Sequence, residues 1–212
     1  MDTSILIKGF LIGFTIAASI GPIGILCIRR SLVNGFLSGV FSGMGVATAD
    51  GFYGAVAAFG LTFISSFLIK QHLWLQIIGI IYLLYLGIKI FREKPKESSE
   101  EKVASKGLLK DYFSIFFLTI VNPMTILMFT AAFASLGTNL TSENYISAST
   151  LTLGVFMGSA TLYLILSVIF GIFHQKLKSN ITILVNKISG SIIIGFVITI
   201  FISLIEKFTQ IL

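Results

Sequence analysis

Apolar residues occur in six long stretches along this chain, and short polar or charged stretches separate them. Each apolar stretch reaches or approaches the about 20 residues that a helix needs to cross a hydrocarbon layer of about 30 Å. The pattern therefore predicts six transmembrane helices, at residues 5–28, 37–69, 73–91, 112–136, 146–173 and 188–205. Charged residues make up only 11% of the 212 residues, against about 25% in soluble domains, so we expect one all-α domain integral to the membrane.

The stretch 92–111 is densely charged and separates the six predicted helices into two groups of three. Its mixture of basic and acidic residues is typical of a solvated linker. If the N-terminus lies outside the cell, twelve lysines and arginines fall in the inward loops, Arg29 and Arg30 among them, and three on the outward side. This bias predicts both termini outside and the linker in the cytoplasm. Three spans per half reverse the second half relative to the first, which predicts a 3+3 inverted repeat.

Two of the three prolines lie inside long apolar stretches, one in each half of the chain. Gly21 precedes Pro22, and Asn122 precedes Pro123. Proline removes a backbone donor and clashes with the preceding turn, so a membrane helix keeps one only where other groups satisfy the freed carbonyls. We therefore expect the first and fourth predicted helices to be broken at these prolines. Broken helices at corresponding places in two halves indicate the substrate site of a transporter.

Asp50 is the one charged side chain deep within a predicted span, roughly 20 Å along the second helix from its start. It continues a helical face of small residues that includes Gly43, Ala47 and Gly54, so we expect it to face other helices rather than lipid. A carboxylate at that depth costs at least about 2.5 kcal/mol and is functional by default. The Asp50 side chain would either be protonated, or be ionised and face water, a cation or a substrate ammonium. The alternative is a neutral Asp50 that only hydrogen-bonds to an adjacent helix.

Asn122 and the hydroxyl groups of Thr48 and Thr125 supply neutral donors and acceptors. Such groups and helix N-termini can receive the carboxylate of a zwitterion, while freed carbonyls or Asp50 can receive its ammonium. Asp50 is the predicted proton-coupling residue of a substrate site that consists of Gly21, Pro22, Thr48, Asp50, Asn122, Pro123 and Thr125. The alternative for the Asn-Pro pair is that it only kinks its helix.

The chain lacks the residues that several functions require. Cys27 is the single cysteine, so neither a disulfide nor a thiol redox pair can form within the chain. The phosphate-binding motif Gly-x-x-x-x-Gly-Lys-Ser/Thr does not occur, which excludes ATP hydrolysis by this chain. No group of His, Cys, Asp and Glu has the spacing of a metal site, so we expect no cofactor. The net charge of +6 is spread over the loops, which argues against a nucleic-acid partner.

Three motifs in order resemble the LysE-type translocator family (LysE/RhtB), which are bacterial amino-acid exporters. The motifs lie at residues 19–32 (SIGPIGILCIRRSL), 43–54 (GMGVATADGFYG) and 122–129 (NPMTILMF). The family commonly reads Ser-Pro-Gly-Pro and Asn-Pro-Lys-Thr, where this chain has Ile20 and Met124 in place of the first proline and the lysine. The resemblance implies efflux of an amino acid or similar small amine, driven by the proton-motive force across the bacterial inner membrane. Because Met124 stands in place of this lysine, the chain lacks one possible charged partner for the substrate.

Two other functions stay open. One alternative is an exporter of a metal cation on the same fold. One deep carboxylate and Cys27 would be a poor set of ligands for such an ion. An intramembrane enzyme would need two carboxylates or a serine paired with a base, and the spans hold one deep Asp and no deep His. We therefore expect an exporter without enzymatic activity, surrounded by lipid, that carries a small amino-acid-like molecule. A homodimer stays open as its assembly.

Overall fold

The computed structural model describes residues 3–59, 67, 70–93, 105–136, 145–174 and 179–209. These residues form eight α-helices, and no strand occurs among them. The all-α class predicted from the sequence is therefore confirmed. In chain order the helices are α1 (Thr3–Ala18), α2 (Pro22–Asn34), α3 (Phe36–Ala58), α4 (His72–Arg92), α5 (Ser105–Ile120), α6 (Pro123–Leu136), α7 (Tyr145–His174) and α8 (Ser179–Thr209).

The helix boundaries differ from the predicted ones at several places. The first and fourth predicted helices are interrupted just before Pro22 and Pro123, as expected. Helix α5 begins at Ser105, so residues 105–111 of the predicted linker are helical, and α8 begins nine residues before the predicted start. Both extensions carry polar residues, which a search for apolar stretches leaves out. Residues 94–104 of the linker, and residues 60–66, 68 and 69 of the second predicted helix, lie outside the described residues.

Helices α1 and α7 cross with their backbones almost in contact. A Cβ atom added to Gly13 would lie 2.1 Å from the carbonyl oxygen of Val155, and one added to Gly158 would lie 2.1 Å from that of Phe10. No larger residue fits at either position without moving a backbone. Small residues allow membrane helices to approach this closely. The small residues on α1 and α7 therefore serve helix packing.

Helix α3 lies at the centre of the bundle, where it contacts α1, α2, α5, α6 and α7. Fourteen of its 23 residues are buried. The chain turns from α2 into α3 at Gly35, which has a φ of 95° that glycine adopts without strain. Asp50 belongs to this central helix, so its side chain is directed among helices and away from lipid.

The described helices include spans long and apolar enough to cross a membrane. They are Leu73–Arg92 in α4, Tyr145–His174 in α7 and Asn180–Leu204 in α8. The pair α1 and α2 counts as a fourth if it is taken as one span that bends by 80° at the break. The chain is therefore a helical integral membrane protein with three or four such spans among the described residues.

Candidate functional site

A cavity of about 680 Å³ lies where the two interrupted helices meet. Its volume falls within the range of roughly 300–1,000 Å³ that is typical of small-molecule sites. Five of the seven predicted site residues line it: Gly21, Pro22, Asp50, Asn122 and Thr125. Most of the remaining wall is apolar and comes from α1, α6 and α8.

The first break exposes the beginning of helix α2 to this cavity. Helix α1 ends at Ala18, and Ser19 Oγ donates to the carbonyl oxygen of Ile16 at 2.6 Å, which closes the last turn. Gly21 has an extended backbone and precedes Pro22, whose missing N–H and fixed φ suit the first position of a helix. Among the described residues no side chain caps α2, and Ile23 and Gly24, whose N–H groups belong to its positive end, line the cavity.

Side chains pair the backbone groups that the second break leaves free. Asn122 caps α6, because its Oδ1 accepts from the N–H of Met124 at 3.3 Å and its Nδ2 donates to Thr125 Oγ1 at 2.9 Å. In a continuous helix the N–H of Met124 would instead bond to the carbonyl oxygen of Ile120. That freed oxygen accepts from the hydroxyl of Tyr53 on α3, at 2.5 Å. The fold therefore stabilises this break, because side chains pair the N–H of Met124 and the carbonyl oxygen of Ile120.

Asp50 lies between the two breaks and is 2% exposed. One carboxylate oxygen, Oδ2, accepts a hydrogen bond from Ser159 Oγ of α7 at 2.6 Å. Among the described residues that line the cavity, Asp50 is the one with a charged side chain. Tyr163, one helical turn beyond Ser159 on α7, also lines the cavity, as does Thr119 of α5. A cargo in the cavity would thus meet one carboxylate and a few neutral polar groups.

One predicted site residue whose side chain is described, Thr48, is not among those that line the cavity. Thr48 donates to the carbonyl oxygen of Met44 at 2.8 Å and lines a separate shallow pocket with Ser149 and Phe156. Two residues along a helix correspond to a rotation of about 200°, so Thr48 and Asp50 point to different sides of α3. Pro123 contributes the first position of α6.

A polar network around two buried arginines lies at the far end of α2 and was not predicted from the sequence. The charge pattern assigns Arg29 and Arg30 to an inward loop, but both lie inside α2 and are only 5% and 8% exposed. Arg29 Nη2 lies 2.5 Å from Glu93 Oε2, and Arg29 Nε donates to Asn186 Oδ1 at 2.9 Å. Asn186 Nδ2 in turn donates to the carbonyl oxygen of Glu93 at 3.1 Å. This set of contacts joins α2 to α8 and to the end of α4.

Arg30 forms the second half of the network. Its Nη1 donates to the carbonyl oxygen of Asp111 at 2.8 Å and to Ser42 Oγ at 3.0 Å, and it lies 3.5 Å from Asp111 Oδ1. Ser38 Oγ donates to the other carboxylate oxygen of Asp111 at 2.5 Å. Ser114 accepts from Arg30 Nη2 at 2.8 Å. The contacts of Arg29 and Arg30 together, called the arginine network below, join α2, α3, α5 and α8 to the C-terminal end of α4.

The described residues do not contain three or more His, Cys, Asp or Glu side chains placed to hold one metal ion. Cys27 is buried. The polar groups of the cavity are therefore suited to hydrogen bonding and to one ionic contact with a small organic molecule.

An all-helical membrane protein with two broken helices around one cavity that holds a buried carboxylate has the architecture of a transporter. A family model described as LysE type translocator matches residues 14–204, so the chain belongs to this family. The resemblance noted in the sequence is thereby confirmed.

Three curated proteins are similar to this chain. YcgF of Bacillus subtilis, whose name assigns it provisionally to amino acid efflux, is 26% identical over 187 residues, covering 84% of this chain and 88% of YcgF. YrhP of the same organism, an uncharacterized membrane protein, is 27% identical over 187 residues, covering 81% and 86% of the two chains. The uncharacterized membrane protein slr1627 of Synechocystis is 28% identical over 115 residues. No solved structure gives a significant match.

Proposed function

We propose that this protein is a secondary active exporter of an amino acid or a related small amine across the bacterial cytoplasmic membrane. The observation that carries the proposal is the meeting of two helix breaks and one buried carboxylate, Asp50, in a single cavity. Discontinuous helices that present their ends to a central site are the usual binding device of such transporters. Membership of the LysE type translocator family and the similarity to YcgF support the same function.

The proposed architecture is a 3+3 inverted repeat of six spans. Each half begins with a broken helix of nearly the same dimensions, 16 and 13 residues in α1 and α2, and 16 and 14 residues in α5 and α6. Each broken helix is followed by two long helices. The packing is also reciprocal, because α1 of the first half packs on α7 of the second, and α5 of the second packs on α3 of the first. These likenesses support a repeat related by a two-fold axis in the membrane plane.

In the proposed orientation both termini lie outside the cell. Ser203 of α8 lines the cavity, whereas Asn186 of the same helix belongs to the arginine network. These residues are seventeen positions apart, which corresponds to about 25 Å along the helix. The cavity therefore extends towards the outward end of α8, and the arginine network closes the cytoplasmic end. Transport requires a second conformer in which this network opens and the cavity faces the cytoplasm.

The two ends of a zwitterionic cargo have candidate partners at the cavity. The uncapped N-terminus of α2, at Ile23 and Gly24, presents N–H groups and the positive end of the helix dipole to a carboxylate. Asp50 presents a carboxylate to the cargo ammonium. Asn122 and Thr125 at the beginning of α6 contribute neutral hydrogen-bonding groups beside them. Pro22 and Pro123 fix the two helix ends in place.

Asp50 is the proposed proton-coupling residue, because a proton and a cargo ammonium can use the same carboxylate only in turn. Facing outside, Asp50 takes up a proton as the cargo leaves. Facing the cytoplasm, it releases that proton and binds the next cargo. For a zwitterionic cargo, one net positive charge enters per cycle, and a potential of 100 mV contributes about 2.3 kcal/mol to it.

Transport by the purified protein in liposomes tests this function. An imposed pH gradient should drive accumulation of a radiolabelled amino acid or amine against its concentration gradient. The gradient should be dissipated by a protonophore in a parallel sample, and protein-free liposomes provide the background. Zn²⁺ and Cd²⁺ in the same assay test the alternative of a metal-cation exporter. Movement of a metal ion without movement of any amine would contradict the proposed function.

A further inference from the structure

The apolar wall of the cavity carries information about the body of the cargo. On α8, the large apolar side chains of Phe196, Ile200 and Leu204 line the cavity and recur every four residues. Residues at this spacing lie on one face of a helix, so they form a continuous apolar strip. A cargo bound at Asp50 would lie in a cavity with this strip as part of its wall.

The hydroxyl groups on this face of α8 do not make it a polar surface. Thr199 Oγ1 donates to the carbonyl oxygen of Gly195 at 3.0 Å, and Ser203 Oγ donates to that of Thr199 at 3.1 Å. Each hydroxyl has one proton and uses it within its own helix. The α8 wall therefore offers no hydroxyl donor to an anionic side chain of a cargo.

A second apolar wall comes from the first turns of α6. Met124, Leu127 and Met128 line the cavity there. Methionine side chains are flexible and polarizable, and they adapt to apolar groups of different shapes. The polar side chains beside them, Asn122 and Thr125, are already hydrogen-bonded to each other at 2.9 Å.

We infer, building on the proposed exporter function, that the cargo carries one ammonium group on an uncharged, apolar body. Asp50 is the single charged group in the described lining, so it can neutralise one ammonium and no second one. A second cationic group, as in lysine, would remain unpaired, and an anionic side chain, as in glutamate, would meet no cation. Burying an unpaired charge is strongly unfavourable. Leucine and phenylalanine fit this class, and so do the amines that result from their decarboxylation.

Competition in proteoliposomes tests the inference with the wild-type protein. The counterflow of radiolabelled leucine is measured with excess unlabelled leucine, phenylalanine, isopentylamine, lysine or glutamate. We expect the apolar compounds to compete at least about tenfold better than lysine and glutamate, because even one methylene in an apolar pocket changes selection by roughly 10-fold to 200-fold. If amines compete as well as their parent amino acids, the ammonium group and the apolar body are sufficient for binding. If the apolar amino acids compete and the amines do not, binding of the apolar cargo also requires its carboxylate group.

Each failure in this assay has a separate meaning. If lysine or glutamate is transported and leucine is not, the inference about the cargo body is overturned while the exporter function stands. If no amino acid or amine is transported by wild-type protein with a pH gradient present, the exporter function itself fails. Lysine is therefore included as a labelled cargo in its own right.

A pair of variants on α8 locates the selection at the cavity wall. Phe196 and Phe201 are both exposed, at 39% and 50%, but only Phe196 is among the residues that line the cavity, so Phe196→Ala is compared with Phe201→Ala. We expect Phe196→Ala to lower the apparent affinity for phenylalanine about tenfold or more, and Phe201→Ala to change it less than twofold. Equal affinities of the two variants, at equal amounts of monodisperse protein, would contradict a role of this wall in binding.

Discussion

Ser159 Oγ of α7 donates a hydrogen bond of 2.6 Å to the Asp50 carboxylate of α3. The two residues are 109 positions apart in the chain, and their contact joins α3 to α7. Ser159 is completely buried and Asp50 nearly so. In the proposed cycle this hydroxyl holds the carboxylate in position at the cavity while its proton and its cargo exchange.

Removing the Ser159 hydroxyl tests this positioning. A hydrogen bond to a charged group is worth about 1.5–3 kcal/mol, so we expect Ser159→Ala to weaken cargo binding roughly tenfold or more. Ser167→Ala is the matched control, since Ser167 is equally buried on the same helix and does not line the cavity. Leucine counterflow in liposomes, measured over a range of cargo concentrations, gives both affinities. Equal affinity of the two variants would show that the Ser159 contact does not position Asp50.

Asn122 and Tyr53 are expected to act on the second break by different contacts. Asn122→Ala removes the cap of α6, which costs about 0.5–2 kcal/mol. Tyr53→Phe leaves the carbonyl oxygen of Ile120 without the phenol donor, which costs about 1–3 kcal/mol. We expect both variants to lower the melting temperature of the purified protein, and Asn122→Ala to weaken cargo binding as well because Asn122 lines the cavity. Thr161→Val on α7, away from the cavity, serves as the control in both measurements.

The arginine network predicts a coupling between Arg30 and Asp111. Removal of one partner of a fully buried ion pair costs about 3–5 kcal/mol, and we expect a smaller loss here because the Asp111 side chain is 19% exposed. We expect Arg30→Gln to lower the melting temperature far more than Lys89→Gln, whose side chain is exposed. The double variant Arg30→Gln with Asp111→Asn should be less destabilised than the sum of the single variants. Strict additivity would mean that this ion pair does not contribute to the stability of the conformer described above.

The same network predicts a change in access to the cavity. If it closes the cytoplasmic end, Arg30→Gln should favour the inward-facing conformer. A cysteine at position 24 in a Cys27→Ser background reports this, because Gly24 lines the cavity. We expect an impermeant maleimide applied to the cytoplasmic face of inverted vesicles to label this cysteine faster in the Arg30→Gln variant. An unchanged rate, with labelling of the same variant from the periplasmic face as the control, would contradict a closing role for the network.

The features that the sequence predicted correctly depend on local rules. A proline inside an apolar stretch interrupts a helix wherever it occurs, so the breaks before Pro22 and Pro123 could be located from the sequence. A lone carboxylate in an apolar span avoids lipid, which is why Asp50 could be assigned to the interior. The hydroxyl group of Thr48 makes it a candidate from the sequence, but helical geometry turns its side chain to a different side of α3 from that of Asp50.

The features that the sequence did not predict depend on contacts between distant residues. Arg29 and Arg30 follow directly on an apolar stretch and so resembled the beginning of a loop, yet no break occurs before Gly35. Their partners Glu93 and Asp111 lie 64 and 81 residues further along the chain. Tyr163 could have been found from its spacing of four residues from Ser159, but only once Ser159 was known to face Asp50.

The central claim is that Asp50 couples export to protons, and Asp50→Asn tests it most directly. Asparagine keeps the size of the side chain and can still accept from Ser159, but it cannot bind and release a proton. Glu206→Gln, which removes an exposed acidic group of α8, is the control for loss of one negative charge. Wild type, Asp50→Asn and Glu206→Gln are reconstituted at equal protein density, and transport of labelled cargo is measured with and without an imposed pH gradient. We predict that wild type and Glu206→Gln concentrate the cargo when the gradient is present, and that Asp50→Asn does not. Concentration of the cargo by Asp50→Asn to the wild-type level would contradict the account.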